Sequence, residues 1–392
     1  MDIVKSAVEQ DTIRISLIGH IDSGNAADVE SEVSSCVDAA PGLPIVVDAE
    51  KLEYISSAGL RILLRLRKKS PDLSIINVSS EVYEILDMTG FTEMMTVEKA
   101  YKTVSIDGCE VIGTGSNGTI YRINKDNVVK VYNNADALDD IRHEREVARK
   151  ALVLGIPTAI SYDIVKVGEH YGSVFELLNA KSFSKILATE PDKFEWCAEE
   201  FVKLLKKIHA TEVPEGQLRS INSTVEKWAD FTKDYLPEDV GQKLVAMISA
   251  VPEDNHMIHG DYHTKNVELV GDEVLLIDMD TLAVGNPIFE FGSIYNAFIG
   301  FSEYNHEQVM RFQGFDYDTA FRFWRETVRL YLGTDDEEQI RSLEDRSRII
   351  GYTRLIRRSI RRNDTSNPRI REELEMWKSE LIDLVKKYDS LI

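Results

Sequence analysis

The period of the apolar positions changes several times along the chain, and those changes divide it. Over residues 1 to about 102, strand-like runs take turns with runs of helical period. Thr12 to Ile18 alternates and predicts a strand, Asp22 to Gly24 a turn, and Ala26 to Val37 a helix. Pro44 to Asp48 predicts a buried strand. Leu52 to Leu64 reads as a short loop feeding a helix, with Ser56 or Ser57 as its cap. Leu73 to Val78 predicts another strand, and Glu81 to Met88 a helix stopped by Gly90. The sum is a small α/β domain.

Ser105, Asp107 and Gly108 interrupt this pattern, and a second architecture begins. Thr119 to Ile123 and Val128 to Tyr132 alternate around Asn124-Lys125-Asp126-Asn127, which predicts a hairpin. Leu138 to Leu154 has a helical stripe of Ile141, Val147, Ala148 and Ala151. After Gly155-Ile156-Pro157, two strand-like runs end in Val174 to Leu178. From Phe194 onward helical periods dominate: Trp196 to His209, Val225 to Tyr235, Ser293 to Ile299, Tyr317 to Tyr331, Ile340 to Arg361 and Ile370 to Tyr388. The expected organisation is an α/β domain over 1–102, a β-rich lobe over 103–178 and a largely helical lobe over 179–392.

Composition agrees with several cores. The chain has 392 residues, 43% hydrophobic and 29% charged, which is globular and long enough for two or three domains. No apolar run approaches the roughly 18 to 20 residues of a membrane helix. The N-terminus lacks the basic and apolar regions of a signal peptide, and Cys36, Cys109 and Cys197 are too scattered for a disulfide framework or metal-ligand spacing. These features place the chain in the cytoplasm. A net charge of -21 opposes nucleic acid and anionic membranes over most of the surface. One segment departs from that balance. Between Arg341 and Arg371 stand ten Arg against Glu344, Asp345 and Asp364, with Arg354, Arg357, Arg358, Arg361 and Arg362 bunched on one predicted helix. Two readings remain open: a solvated face paired with acids elsewhere, or an anion or partner site.

The candidate chemistry lies in the second region. Gly113-Thr114-Gly115-Ser116-Asn117-Gly118 is a GxGxxG element, and the hairpin after it, where a dinucleotide fold would open a helix, favours a phosphate-covering loop. Lys130 falls in the second hairpin strand, between Val129 and Val131. In the following helix Glu144 lies on the apolar stripe and Glu146 points away, so Glu144 is the candidate to pair with Lys130. Further on, Asp261 precedes Asn266 by five positions in His259-Gly260-Asp261-Tyr262-His263-Thr264-Lys265-Asn266. Asp278 then closes the apolar run of Leu276-Ile277. Each of these residues alone also suits a turn. Their joint spacing, downstream of a glycine loop and Lys130, has the offsets of a phosphoryl-transfer centre.

Gly260 stands where protein kinases carry Arg, and Asp278-Met279-Asp280 where they carry Asp-Phe-Gly. The segment from about 105 to 392 therefore resembles the aminoglycoside phosphotransferase and choline kinase families. The resemblance implies a bilobal, protein-kinase-like α+β fold using ATP and Mg2+ to phosphorylate a hydroxyl of a small molecule. It implies Gly113, Gly115, Gly118 and Lys130 around the nucleotide phosphates, Glu144 orienting Lys130, and Glu176 in the hinge whose backbone meets adenine. It further implies Asp261 accepting or orienting the hydroxyl proton, Asn266 and Asp278 holding Mg2+, and Asp280 assisting a second metal. His259 is expected as a buttress of the loop, His263 as a loop residue, and His209 as structural. Glu290, after Gly285-Asn286-Pro287, occupies the place of an Asp that braces the loop in those families, and bracing by the longer side chain is an open question. The alternative is a nucleotide-sensing adaptor without catalysis in an anti-sigma-type network. A protein kinase is disfavoured by Gly260 and the missing activation segment.

The first hundred residues resemble the STAS domain of anti-sigma-factor antagonists. The carriers are Gly19-His20-Ile21-Asp22, Val46-Val47-Asp48 and Ser57-Ala58-Gly59-Leu60. The resemblance implies a module that binds a protein partner. Many relatives are phosphorylated on a Ser immediately before that Gly; here the position is Ala58, and Ser57 is expected as a helix cap. A docking or dimerising module is therefore expected in place of a phospho-switch.

Overall fold

The structure, a computed structural model, describes residues 3–9, 12–115, 117–363 and 365–392. Ser116 of the glycine loop and Asp364 of the arginine-rich segment lie outside the described residues. The chain divides into two compact units, Met1–Gly108 with Ile164–Gly172, and Cys109–Asp163 with Ser173–Ile392.

The first unit is a mixed five-stranded sheet with helices. Its elements are β1 (Val4–Glu9), β2 (Thr12–Ile21), α1 (Ala26–Ala39), β3 (Ile45–Ile55), α2 (Ser57–Lys69), β4 (Ser74–Val78), α3 (Ser80–Met88), α4 (Phe91–Met94) and β5 (Thr96–Lys99). Strands run in the order β1-β2-β3-β4-β5, with β1 antiparallel to β2 and the rest parallel. Alternation in β2 buries Ile13, Ile15 and Leu17 against Val29 and Val33 of α1, Val47 of β3 and Leu63 of α2. A short β6 (Lys102–Thr103) pairs in parallel with Val165 and Lys166, later residues that group with this unit.

Two local expectations change here. The strand expected to stop at Asp48 continues to Ile55, because the far half of β2 pairs with it across register shifts, Ile18 opposite Lys51 and Ile21 opposite Ile55. Pairing overrides a polar sequence. The cap of α2 is Ser56, whose side chain accepts from the Ala58 N–H at 3.2 Å. Ser57, expected as the cap, is instead the first helical residue and exposed.

The second unit opens with an antiparallel meander of β7 (Glu110–Thr114), β8 (Gly118–Arg122) and β9 (Asn127–Tyr132), followed by α5 (Leu138–Val153). Next in the chain come β10 (Asp163–Val167), which from Ile164 on groups with the first unit, and β11 (His170–Glu176), which returns to the second at Ser173. The helical region holds β12 (Ala180–Ser182), α6 (Phe183–Thr189), α7 (Phe194–His209), α8 (Asn222–Thr232) and α9 (Glu238–Ser249). Two small antiparallel pieces carry the loops of interest. β13 (Met257–Ile258) pairs with β16 (Ala283–Val284), while β14 (Val267–Val270) pairs with β15 (Glu273–Leu276) and β12. The chain ends in α10 (Pro287–Tyr295) with a π turn at Asn296–Gly300, α11 (Glu307–Gln313), α12 (Tyr317–Leu332), α13 (Glu337–Arg362) and α14 (Pro368–Lys387). Asn286, Asp316, Asp336 and Asn367 cap α10, α12, α13 and α14 through their side chains, with Pro in the first turn of α10 and α14. Phe201, Phe298, Phe323 and Trp324 are buried at the centre of this core. The fold is thus an α/β unit followed by an α+β unit whose later part is helical.

Candidate functional site

The site forms where the meander and α5 meet the loops that leave β13 and β15. In β9, Lys130 sits between apolar neighbours, and its Nζ donates to Glu144 of α5 at 3.0 and 3.2 Å and to Asp278 at 3.2 Å. Tyr132 donates its hydroxyl to Glu144 at 2.7 Å, which fixes the carboxylate from the other side. Burial alone would lower the Lys130 pKa. The two carboxylates outweigh it and push that pKa up, so the ammonium is charged across the physiological range. The helix stripe that singles out Glu144 over Glu146 is thus followed in space: Glu146 pairs with Lys150 at the surface.

Asp278 follows β15 in a left-handed conformation, φ +63°, which non-glycine residues adopt at a cost. Asp280, in the turn Met279–Thr281, lies near Asp278, Glu144 and Asp261. Burial, then the charges of Asp278 and Glu144, raise its pKa to about 7, with Lys130 opposing. This is a partly buried group of carboxylates with too few cations.

The loop 259–266 is held by its backbone. Gly260 has φ +83°, and a Cβ there would meet the Thr281 carbonyl oxygen at 2.7 Å, so the loop packs too closely against the Asp278–Thr281 turn for any side chain. Glu290 of α10, fully buried, accepts from the backbone N–H groups of His259 and Gly260. The longer side chain therefore does brace the loop. His209 lies beneath it, 2.8 Å from the Tyr331 hydroxyl and 3.8 Å from Glu290. His259 accepts from the Asp261 N–H through Nδ1 at 3.3 Å, the expected buttress. Asn266 donates to the Asp261 carbonyl at 3.0 Å.

The Asp261 carboxylate has two neighbours that sequence reasoning did not assign. His263 Nε2 lies 3.5 Å from one oxygen, and Arg354 Nη2 of α13 lies 3.9 Å from the other. Burial works to raise the Asp261 pKa; His263, Arg354 and His259 outweigh it and hold the carboxyl well below the usual range. His263 stands two residues from Asp261, a signal available in the sequence. Arg354 carries no such signal, because only the packing of α13 on α10 brings it near.

The glycine loop leaves β7 and enters β8, where the Gly115 N–H donates to the Gly118 carbonyl at 2.9 Å. A Cβ at Gly118 would collide with the Val131 carbonyl oxygen at 2.4 Å, whereas at Gly113 and Gly115 it would meet nothing closer than 3.9 Å. Folding demands the third glycine. The first two leave open space over the loop, as close approach of a phosphate requires. Glu176 is not gathered with the others; it is exposed at the end of β11, and the next N–H, of Leu177, donates to the Asp126 carbonyl at 2.7 Å.

Among the described residues no three His, Cys, Asp or Glu side chains form a metal cage on their own. Asn266 and Asp278 supply hard oxygen donors beside the under-neutralised carboxylates, which suits Mg2+, an ion that takes one or two carboxylates together with phosphate oxygens.

The profile of the phosphotransferase enzyme family matches residues 108–326, more than half of the chain. The chain belongs to this family. The STAS domain profile matches residues 4–105 of this phosphotransferase family member. There it is 34% identical over 85 residues, 21% of this chain and 72% of the relative, to BtrV of Bordetella bronchiseptica, named as an anti-sigma factor antagonist. Among solved structures, ADP-bound aminoglycoside phosphotransferase APH(2'')-Ib superposes with a TM-score of 0.50 at 13% identity, over 78% of this chain and 99% of its own. The streptomycin and ATP complex of APH(2'')-IIa gives 0.48 at 13% identity, over 78% and 98%. At such identities the likeness is one of fold. No helix among the described residues is long and apolar enough to cross a membrane.

Proposed function

We propose that the protein transfers the γ-phosphoryl group of ATP to a hydroxyl of a small molecule, with Mg2+ as the metal and the STAS domain as a docking module for a protein partner. The observation that carries this reading is the convergence of Lys130, Glu144 and Asp278 from three separate stretches of sequence, with the loop of Asp261 packed through Gly260 on the turn that follows Asp278. Gly113, Gly115 and Gly118 cover the phosphates, and Lys130, oriented by Glu144, contacts them. Glu176 marks the hinge strand beside the adenine. Asn266 and Asp278 hold Mg2+, with Asp280 supporting; the ion, when bound, supplies the positive charge that neutralises the phosphates.

Asp261 then meets the acceptor hydroxyl. Its depressed pKa makes it a weak base toward an intact alcohol, so its first task is orientation: it accepts a hydrogen bond from the hydroxyl and aims the oxygen lone pair at phosphorus. The proton passes to it only as the oxygen–phosphorus bond forms, which matches the loose transition state of phosphoryl transfer.

The test is mass spectrometry of a metabolite extract incubated with full-length protein and MgATP, searching for a species that gains one phosphoryl group. Asp261→Asn is expected to reduce the rate about 10²- to 10⁴-fold. Equal product from the variant and the wild type would overturn the assignment of Asp261, and absence of any phosphorylated species would overturn the activity.

A further inference from the structure

The arginine-rich segment splits into two halves with different surroundings. In the first half of α13 an acid pairs with Arg348 and an aromatic ring covers Arg346. Arg348 reaches Glu380, Asp345 and the Tyr352 hydroxyl, and Arg346 stacks on Tyr388 at 5.4 Å. From α12, Arg325 takes Glu344 and Glu337. Arg348 and Arg325 thus form the acid-paired face that the sequence left open.

The second half is different. Arg354, Arg358 and Arg362 recur at i, i+4 and i+8, so they stand in a row on one face, about 6 Å apart along the axis at each step. Like charges at that spacing oppose one another. Among the described residues no ion pair relieves Arg358 or Arg362. Arg358 stacks on Phe301 at 4.8 Å, and its pKa is lowered by burial and then by Arg362 and Arg354, the mark of a cation crowded by cations. Arg357 is lowered in the same way, by burial and then by Arg361 and Arg362. Among the described residues the acid that faces the row from another element is Asp261, 3.9 Å from Arg354.

The row begins at a fixed point. Arg354 donates from Nη1 to the Ser293 hydroxyl at 2.8 Å, and Ser293 donates to the Gly260 carbonyl at 3.0 Å, so the guanidinium is tied to the loop that carries Asp261. Its other face lies over Trp228 at 5.4 Å. Lys130 and Asp278 lie on the nucleotide side of the centre, and Arg354 flanks the Asp261 oxygen turned toward α13, with Arg358 and Arg362 continuing the row away from it.

We infer that the acceptor is an anion: a hydroxyl compound carrying a phosphate or carboxylate group, whose hydroxyl meets Asp261 while its acid group lies along the row Arg354, Arg358 and Arg362. This inference rests on the phosphotransferase reading. Guanidinium groups in a row match oxyanions in geometry and charge, and they repel polyamines such as aminoglycosides.

The experiment uses full-length protein with MgATP and a metabolite extract divided by ion exchange into anionic, neutral and cationic fractions, read by mass spectrometry for phosphoryl gain. Gain confined to the anionic fraction is expected. With that acceptor, Arg358→Glu should raise KM on the order of ten- to a hundredfold with a much smaller change in kcat, while Arg346→Ala in the first half of α13 leaves both unchanged. Gain in the cationic or neutral fraction, or a KM indifferent to Arg358→Glu, would overturn the inference and leave the activity standing. Labelled protein in the extract would likewise overturn it, in favour of a macromolecular acceptor. If no fraction gains phosphate, the activity fails, and the anion site is judged separately by thermal shift with citrate and inorganic phosphate under saturating MgADP. Stabilisation of the wild type that Arg358→Glu abolishes would then support the site; equal curves would remove it.

Discussion

Glu290 turns on one methylene. A carboxylate one carbon longer than the Asp of related loops still receives the N–H groups of His259 and Gly260, because α10 presents it from a buried position under a loop that has no side chain at Gly260 to hold it off. Gly260 and Glu290 thus solve the same problem together. The glycine lets the loop lie flat against Thr281, and the carboxylate satisfies the two donors that this flat backbone buries. Glu290→Ala leaves both donors unpaired away from water and should cost about 2–5 kcal/mol of stability. Urea unfolding measures this directly. Glu290→Gln, which keeps one acceptor oxygen, should recover part of the loss, and an alanine variant as stable as the wild type would mean that the loop is held by other contacts.

At the scale of elements, α5 and α13 show what the sequence could and could not tell. The stripe of Ile141, Val147, Ala148 and Ala151 fixes the rotation of α5, and rotation alone decides which glutamate faces Lys130. Periodicity carries that information completely. Glu144→Gln should therefore lower kcat/KM roughly 10- to 100-fold by freeing Lys130, whereas Glu146→Gln, which gives up only a surface pair with Lys150, should be silent in the same assay. Spacing likewise brought out the glycine loop, Lys130, Asp261, Asn266 and Asp278, each of which lies within a short motif. What spacing did not reach was contact made by packing. Arg354 meets Asp261 only because α13 lies along α10, and β3 outruns its apolar run only because β2 pairs with it. Ser56 and Ser57 show the finer limit: either hydroxyl could cap, and one residue of helix phase chose Ser56. The short α6 and α11, of seven residues each, escaped for a related reason, since two turns of helix give too few repeats to stand out.

On the scale of the whole molecule, each unit has its own core. One is built from residues between Val4 and Met95, the other from residues between Val147 and Leu391. Acid should therefore act on them through different groups. In the first unit Asp48 accepts from Arg14 at 2.6 Å and from Asn77 at 3.1 Å, at the crossing of β2, β3 and β4. Burial raises its pKa, and the bonds from Arg14, Asn77 and the Glu50 N–H outweigh it, so the folded carboxyl titrates below the ordinary value of 3.8. A depressed folded pKa means that the unfolded chain takes up the proton first. The stabilisation is thus present above about pH 4 and is lost as pH falls through the folded value. Because Arg14 is 40% exposed, solvent screening reduces the contribution to about 1 kcal/mol. Asp48→Asn should lower the unfolding transition of the first unit at pH 7 and leave that of the second in place. As pH falls through the folded value the variant and wild-type curves should converge, since both then carry an uncharged side chain at position 48. Calorimetry at pH 7, 5 and 3 separates the outcomes: a difference that persists undiminished at pH 3 would assign the effect to lost hydrogen-bond geometry, with no part for the charge.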